Sequence, residues 1–148
     1  DLLPCLRTLA SNLKIAAQLL SDAGIQPVFE MINGTDMPRF LLQNIAQAQE
    51  MLEAVQHPAL KMQYDCYHMA MMGENVLQAL KENIDGIGHI QFADCPGRHQ
   101  PNSGEIDYAA IFDYLKSSPY TGYVAAEYRP TPDSNGSLAW KSAFFPQA

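Results

Sequence analysis

Four short apolar runs in this chain each close on an acid or an amide, and the stretches between them carry helical periodicity. The runs are Pro27-Val28-Phe29-Glu30, Lys61-Met62-Gln63-Tyr64-Asp65, Ile87-Gly88-His89-Ile90-Gln91 and Tyr123-Val124-Ala125-Ala126-Glu127. Each is too short for a helix and reads as a buried strand. From Glu30 through Asp65 and Gln91 to Glu127 the steps are 35, 26 and 36 residues, the spacing of repeated strand–helix units. Alternation of this kind builds an α/β fold with a parallel sheet, because a crossover helix is the usual way to bring the next strand back in the same direction. In such sheets ligands bind at the carboxyl ends of the strands. All four polar residues fall on that edge.

The intervening segments support this reading. Leu6, Leu9, Leu13, Ala16 and Leu20 recur at steps of three and four, and Gly24 is a natural helix stop. After the first strand, the loop of residues 31–38 contains Asp36, which can cap, and Pro38, which can start the next helix. Leu41, Ile45, Ala48, Leu52 and Val55 mark the stripe of that helix, and His57-Pro58 ends it. A second strand is expected over 60–65, a third helix over 73–82 and a third strand over 86–91. The long polar loop of residues 92–105 follows, then a fourth helix over 108–116 and a fourth strand over 123–127. A short amphipathic stretch over 140–145 closes the pattern. No glycine-rich phosphate loop appears, so a dinucleotide site has no support.

Composition excludes several function classes. The chain has 148 residues, enough for one core, and its 47% apolar and 17% charged content is that of a globular domain. Its 16 acids outweigh 9 scattered bases for a net charge of −7, which is the wrong sign and pattern for a nucleic-acid partner. No window approaches the length of an apolar membrane span. Cys5, Cys66 and Cys95 are odd in number and lack metal-site spacing, as expected in a reducing cytoplasm. Cys66 reads as a packed structural cysteine. The N-terminus lacks both a basic signal-peptide region and an initiator Met, which suggests a chain cut from something longer.

Three carboxylates and one amide oxygen around a point form an oxygen-ligand site for a hard divalent cation, Mg2+ or Mn2+, and disfavour a structural zinc. Without a cation, carboxylates so crowded would repel until at least one took up a proton. A cation there can hold a carbonyl and a neighbouring hydroxyl and stabilise an enediolate as a Lewis acid. Glu30 and Glu127, from the first and last strands, are then the natural pair to move a proton between adjacent carbons. His68, three residues beyond Asp65, points near the same centre, and Arg98 can grip a substrate carboxylate through its fork. The plainer alternatives are a solvated strand end for any single carboxylate, a hydrogen-bonded loop residue for His68 and a surface arginine for Arg98. His89 reads as a satisfied core histidine, and His57 and His99 as loop residues.

The runs Tyr64-Asp65-Cys66-Tyr67-His68, Gly88-His89-Ile90-Gln91-Phe92-Ala93-Asp94 and Pro96-Gly97-Arg98-His99 resemble hydroxypyruvate isomerase. Gly104-Glu105-Ile106-Asp107-Tyr108 and Glu127-Tyr128-Arg129-Pro130 continue the match, and residues 33–38 are similar to the loop after that family's first acidic ligand. The resemblance covers essentially the whole chain and places it among the xylose-isomerase-like TIM barrels. It implies Glu30, Asp65, Gln91 and Glu127 as metal ligands, with Glu30 and Glu127 as the proton-transfer pair and His68 and Arg98 on the substrate. Related epimerases carry a His where Gln91 stands, so Gln91 favours the hydroxypyruvate branch. The implied reaction converts hydroxypyruvate to 2-hydroxy-3-oxopropanoate (tartronate semialdehyde).

A TIM barrel has eight strands in about 250 residues, and this sequence supplies four. By the resemblance it corresponds to strands five to eight, the C-terminal half of the (β/α)8 barrel, as a single partial domain over 1–148. Four strands of a cut barrel leave two unpaired edges and an exposed apolar inner face, so a homodimer or association with an N-terminal half-barrel is expected. Three functions compete at this point: the isomerase, a non-catalytic half-barrel kept for oligomerisation or sugar-acid binding, and an endonuclease-IV-like phosphodiesterase. The last requires several His ligands and a basic surface, and the sequence supplies neither.

Overall fold

The computed structural model describes residues 2–146. Helix α1 (Leu3–Asp22) ends at Gly24, whose φ of 72° lets the Ile25 amide turn back to the Leu20 carbonyl at 2.9 Å. Strand β1 (Val28–Glu30) leads into helix α2 (Ile45–Val55), and β2 (Lys61–Asp65) runs directly into the short helix α3 (Cys66–Met71). Helix α4 (Val76–Asn83) and a 3-10 turn precede β3 (Ile87–Phe92), followed by α5 (Tyr108–Ser117), β4 (Val124–Ala126) and α6 (Trp140–Phe144).

The four strands form one parallel sheet in the order β1-β2-β3-β4. Order in space follows order in sequence with no reversal, so the sheet has no switch point and rolls in one sense, as a barrel wall does. The outward side chains Phe29, Met62, Tyr64, Ile90 and Phe92 are buried beneath Ile45, Ala48, Met51 and Val55 of α2, Val76 and Leu80 of α4, and Ile111 and Phe112 of α5. Phe112 gathers Phe92, Trp140, Phe144 and Phe145 at ring distances of 5.1–6.3 Å, which docks the C-terminal helix.

Two expectations about helix starts are corrected. Asp36 and Pro38 do not begin α2. Asn44 does, its side chain accepting the Gln47 amide at 3.0 Å while Gln47 reaches back to the Gln43 amide at 2.7 Å. Asp36 is engaged elsewhere, by Asn33 and Tyr67, so Leu41 stays in the loop. Gly73 likewise precedes α4 in a left-handed turn, and Asn75 is the cap that accepts from Gln78 at 3.1 Å.

The inner face also differs from expectation. It is not apolar: Lys61, Gln63, His89 and Gln91 occupy it, each half-buried, because the inward positions of β2 and β3 alternate with apolar outward ones. His89 therefore sits opposite Gln63 on this polar wall and not in the core. Strands β1 and β4 are the sheet edges, and β4 is the more open, with Tyr123 and Val124 both exposed.

Candidate metal centre

The site grows from the junction of β2 and α3. Because α3 starts the moment β2 ends, Asp65 is both the last strand residue and the helix cap. Its two oxygens divide the work: Oδ1 accepts the Tyr67 amide at 2.9 Å, and Oδ2 is buried with no hydrogen-bond partner. One helical turn later, His68 lies above its own cap, with Nε2 3.7 Å from Asp65 Oδ2. Glu30, at the end of β1, brings Oε1 to 3.9 Å from the same nitrogen, and this oxygen too is buried without a hydrogen bond. Ligand atoms of Glu30, Asp65 and His68 all lie within 4.8 Å of one another.

Burial sets the charge states. Asp65 is fully buried, and desolvation raises its carboxyl to about 7 against the opposing Tyr67 amide and Arg98 charge. Glu30 is also raised, chiefly by burial, with the Glu127 charge adding and Gln63 and Arg98 opposing. His68 moves the other way, to about 4, because burial and then Arg98 disfavour the imidazolium. Two orphaned carboxylate oxygens aimed at one point are a chemically unfavourable arrangement that a cation relieves, and the donor set fits a hard one.

The loop after β3 supplies the positive charge. Asp94, fully buried, accepts the backbone amides of Cys95 at 2.9 Å and of Ser103 and Ile106 at 3.1 Å each, which draws the loop tight. A Cβ at Gly104 would collide with the Cys95 carbonyl, so only glycine fits inside that turn. The loop is tied to the segment after β4 through the Arg129 amide, which donates to the Arg98 carbonyl at 2.7 Å. Arg98, left-handed at φ 56°, thereby reaches inward: its Nη2 is 2.8 Å from Glu127 Oε2 and 3.5 Å from Asp65 Oδ2, and its guanidinium lies 5.1 Å from the Tyr67 ring centre.

Of the residues expected at the site, Glu30, Asp65 and His68 form the tight group, and Arg98 joins Asp65 to Glu127. Gln91 lies beside Asp65 across the β2–β3 register, but its Oε1 accepts the Gln63 amide at 2.7 Å. A carbonyl oxygen keeps a second lone pair, so this bond leaves Gln91 able to ligate. Glu127 is 54% exposed at the end of the edge strand, so its link to the group runs through Arg98. Sequence reasoning missed Asn33, Asp36, Tyr67 and Gln63 as parts of the site. For Gln63 the strand alternation held the signal, since it shares the inward face with Asp65.

A parallel α/β sheet with Glu30, Asp65 and His68 gathered at its carboxyl edge defines a barrel-type protein with a candidate cation site there. The sequence places it more narrowly. Residues 2–144 match the family model of the xylose isomerase-like TIM barrel, and the chain belongs to that family. It is 37% identical to the 2-oxo-tetronate isomerase of Cupriavidus necator, over 92% of this chain and 52% of that protein. It is likewise 37% identical to the hydroxypyruvate isomerase of Escherichia coli, over 93% of this chain and 53% of that one. Among solved structures it superposes on an AP endonuclease, family 2, from Brucella melitensis with a TM-score of 0.92 and 30% identity, covering 97% of this chain and 56% of that one. The chain thus spans about half the length of the curated relatives it matches.

Proposed function

We propose that this chain carries the metal-binding and proton-transfer half of an isomerase for small 2-oxo-3-hydroxy acids, converting hydroxypyruvate to 2-hydroxy-3-oxopropanoate. The observation that supports it most is the pair of buried oxygens on Glu30 and Asp65 that accept no hydrogen bond, with the Arg98 guanidinium 3.5 Å from the second. Glu30, Asp65, Gln91 and Glu127 would hold Mg2+ or Mn2+. When bound, the cation polarises the substrate carbonyl and offsets the negative charge that develops on its oxygens. Arg98 receives the substrate carboxylate. One of Glu30 and Glu127 removes the C3 proton, giving the enediolate, and the other delivers a proton to C2, while the C3 hydroxyl proton passes to the C2 oxygen, leaving an aldehyde at C3 and a hydroxyl at C2. Burial raises the Glu30 carboxyl above its ordinary value, which makes it a stronger base than an exposed glutamate.

The proposal extends to assembly and setting. The unpaired edges β1 and β4 favour a partner, either a second copy or an N-terminal half-barrel. Three free cysteines favour a reducing compartment, the cytoplasm. No helix among the described residues is long and apolar enough to cross a membrane.

The deciding experiment titrates the chain with Mn2+ by calorimetry and then assays hydroxypyruvate and 2-oxo-tetronate, with Glu127→Gln as the control. Binding with turnover that Glu127→Gln abolishes supports the isomerase. The exposure of Glu127 and the open edges favour a second reading, the non-catalytic half-barrel for oligomerisation or sugar-acid binding. A folded chain that binds Mn2+ and turns over neither acid would establish it. Light scattering that finds a stable monomer would remove the dimer.

A further inference from the structure

Glu30, Asp65 and His68 together look like a carboxylate–imidazole cation site. The proposed ligand set nonetheless leaves His68 to the substrate, and we propose that Asn33 fixes how it serves there, by locking its imidazole in the tautomer with the proton on Nε2 so that it faces the pocket as a hydrogen-bond donor. The argument turns on which groups face Nδ1. The backbone N–H of Asn33 points at it from 3.4 Å, and the side-chain amide Nδ2 of the same residue stands at 2.6 Å.

The orientation of that amide is settled by its other neighbours. Asn33 Oδ1 accepts two backbone amides, from Thr35 at 3.1 Å and Asp36 at 2.8 Å, so the oxygen must lie on the loop side and the NH2 on the histidine side. Of the two N–H bonds on Nδ2, one goes to Asp36 Oδ2 at 3.0 Å, leaving the other for His68. Asp36 Oδ2 is held in turn by the Tyr67 hydroxyl at 2.8 Å. Asn33 is fully buried, and each of its amide hydrogen-bonding positions is occupied. Two donors therefore converge on Nδ1, which can only accept, and in a neutral imidazole the proton then resides on Nε2.

Nε2 is the nitrogen that faces Glu30 and Asp65. A metal ligand needs a lone pair at that nitrogen, with the opposite nitrogen donating to a carboxylate or carbonyl. Here the polarity is reversed. The cation is left to oxygen donors, and His68 presents an N–H toward any oxygen that gains negative charge beside them. Asn33 is thus a positioning residue. This inference rests on the proposed isomerase only for the identity of that acceptor oxygen, since the tautomer itself is read without substrate.

The test is a two-bond 1H–15N correlation spectrum of the 15N-labelled full chain at neutral pH, with His68 assigned by the signals lost in His68→Gln. The expected result is a pyridine-type Nδ1 and a pyrrole-type Nε2, unchanged on adding Mg2+. Asn33→Asp replaces the donor with an acceptor and is expected to move the proton to Nδ1. Asn33→Ala is expected to give a mixture of tautomers with the fold retained by circular dichroism. A wild-type His68 protonated on Nδ1, or one whose Nε2 loses its proton when Mg2+ binds, overturns the proposal. So does an Asn33→Ala chain whose pattern stays that of wild type. Should neither variant fold, the wild-type spectrum decides alone. Failure of the chain to turn over hydroxypyruvate would count against the isomerase without touching this result.

Discussion

The two sides of the site are built differently. On the β1–β2 side, Asp65 and His68 are almost fully buried and held by a continuous set of hydrogen bonds through Asn33, Asp36 and Tyr67. On the β4 side, Glu127 stands more than half exposed at the end of an edge strand, and Arg98 is the side chain that holds it. One side is ordered in advance of any ligand; the other is held by a single charged contact that solvent reaches. Ligands on the first side should therefore dominate metal affinity, while the second side is where substrate and cation can rearrange the charges.

Asp65→Asn gives the largest effect. Asn is as good a helix cap as Asp, so the Tyr67 amide keeps its partner and α3 keeps its start. Mn2+ affinity should nevertheless fall at least about 100-fold, more than the loss typical of outer-shell partners, with no loss of thermal stability in the metal-free chain. Calorimetry and a melting curve on one preparation measure both. Glu127→Gln should cost less affinity, about tenfold, since an exposed ligand loses less when its charge goes. Equal losses from the two variants would break the comparison.

Much of this division was legible from residues alone. The four apolar runs put Asp65 and Gln91 side by side at the carboxyl edge of the sheet, and Gly24 and the strand ends marked the elements that the structure shows. The Asn33 network was not legible, because it joins residues 35 positions apart through side-chain contacts that no periodicity encodes. Asp36 looked like a helix cap, and its chemistry is indeed that of a short-range acceptor. The partner it found was Asn33 and then Tyr67, which won over a helix start at Pro38. Helix α3 was hidden by its brevity: six residues cannot show an amphipathic period, yet they bring His68 over Asp65. The inner face was nonetheless expected to be apolar, although Lys61, Gln63 and His89 occupy its alternate positions.

The buried side can be sharpened with pH. Asp65 binds its proton more tightly folded than unfolded, since burial raises it from the ordinary carboxylate value to about 7. Its contribution to stability is full at pH below the ordinary value and is lost as pH rises through about 7. His68 contributes with the opposite sign over part of this window, because its folded value is lowered to about 4. Comparing wild type with Asp65→Asn cancels the part of the His68 contribution that comes from its own burial and from Arg98. In the absence of metal, Asp65→Asn should gain stability relative to wild type as pH climbs from 4 to about 7, read as a widening difference in Tm. Saturating Mg2+ should close that difference by stabilising the wild-type carboxylate. A gap that stays constant with pH would mean that Asp65 titrates as an ordinary exposed acid.

The smallest expected effect tests the exposed side. Arg98 shares Glu127 and Asp65 with any cation that binds there, at 2.8 and 3.5 Å. Replacing it by Gln removes a competing positive charge, and a partly exposed pair of this kind is worth about 1 kcal/mol, or roughly a fivefold change in affinity. Arg98→Gln should therefore bind Mn2+ up to about fivefold more tightly, within the same 1 kcal/mol, while its affinity for an inert substrate-like acid such as malonate falls. The two changes together would show the guanidinium passing from carboxylate to substrate as the cation arrives. A drop in Mn2+ affinity instead would mean that Arg98 holds Glu127 in place for the metal, and the exposed side would then be as ordered in advance as the buried one.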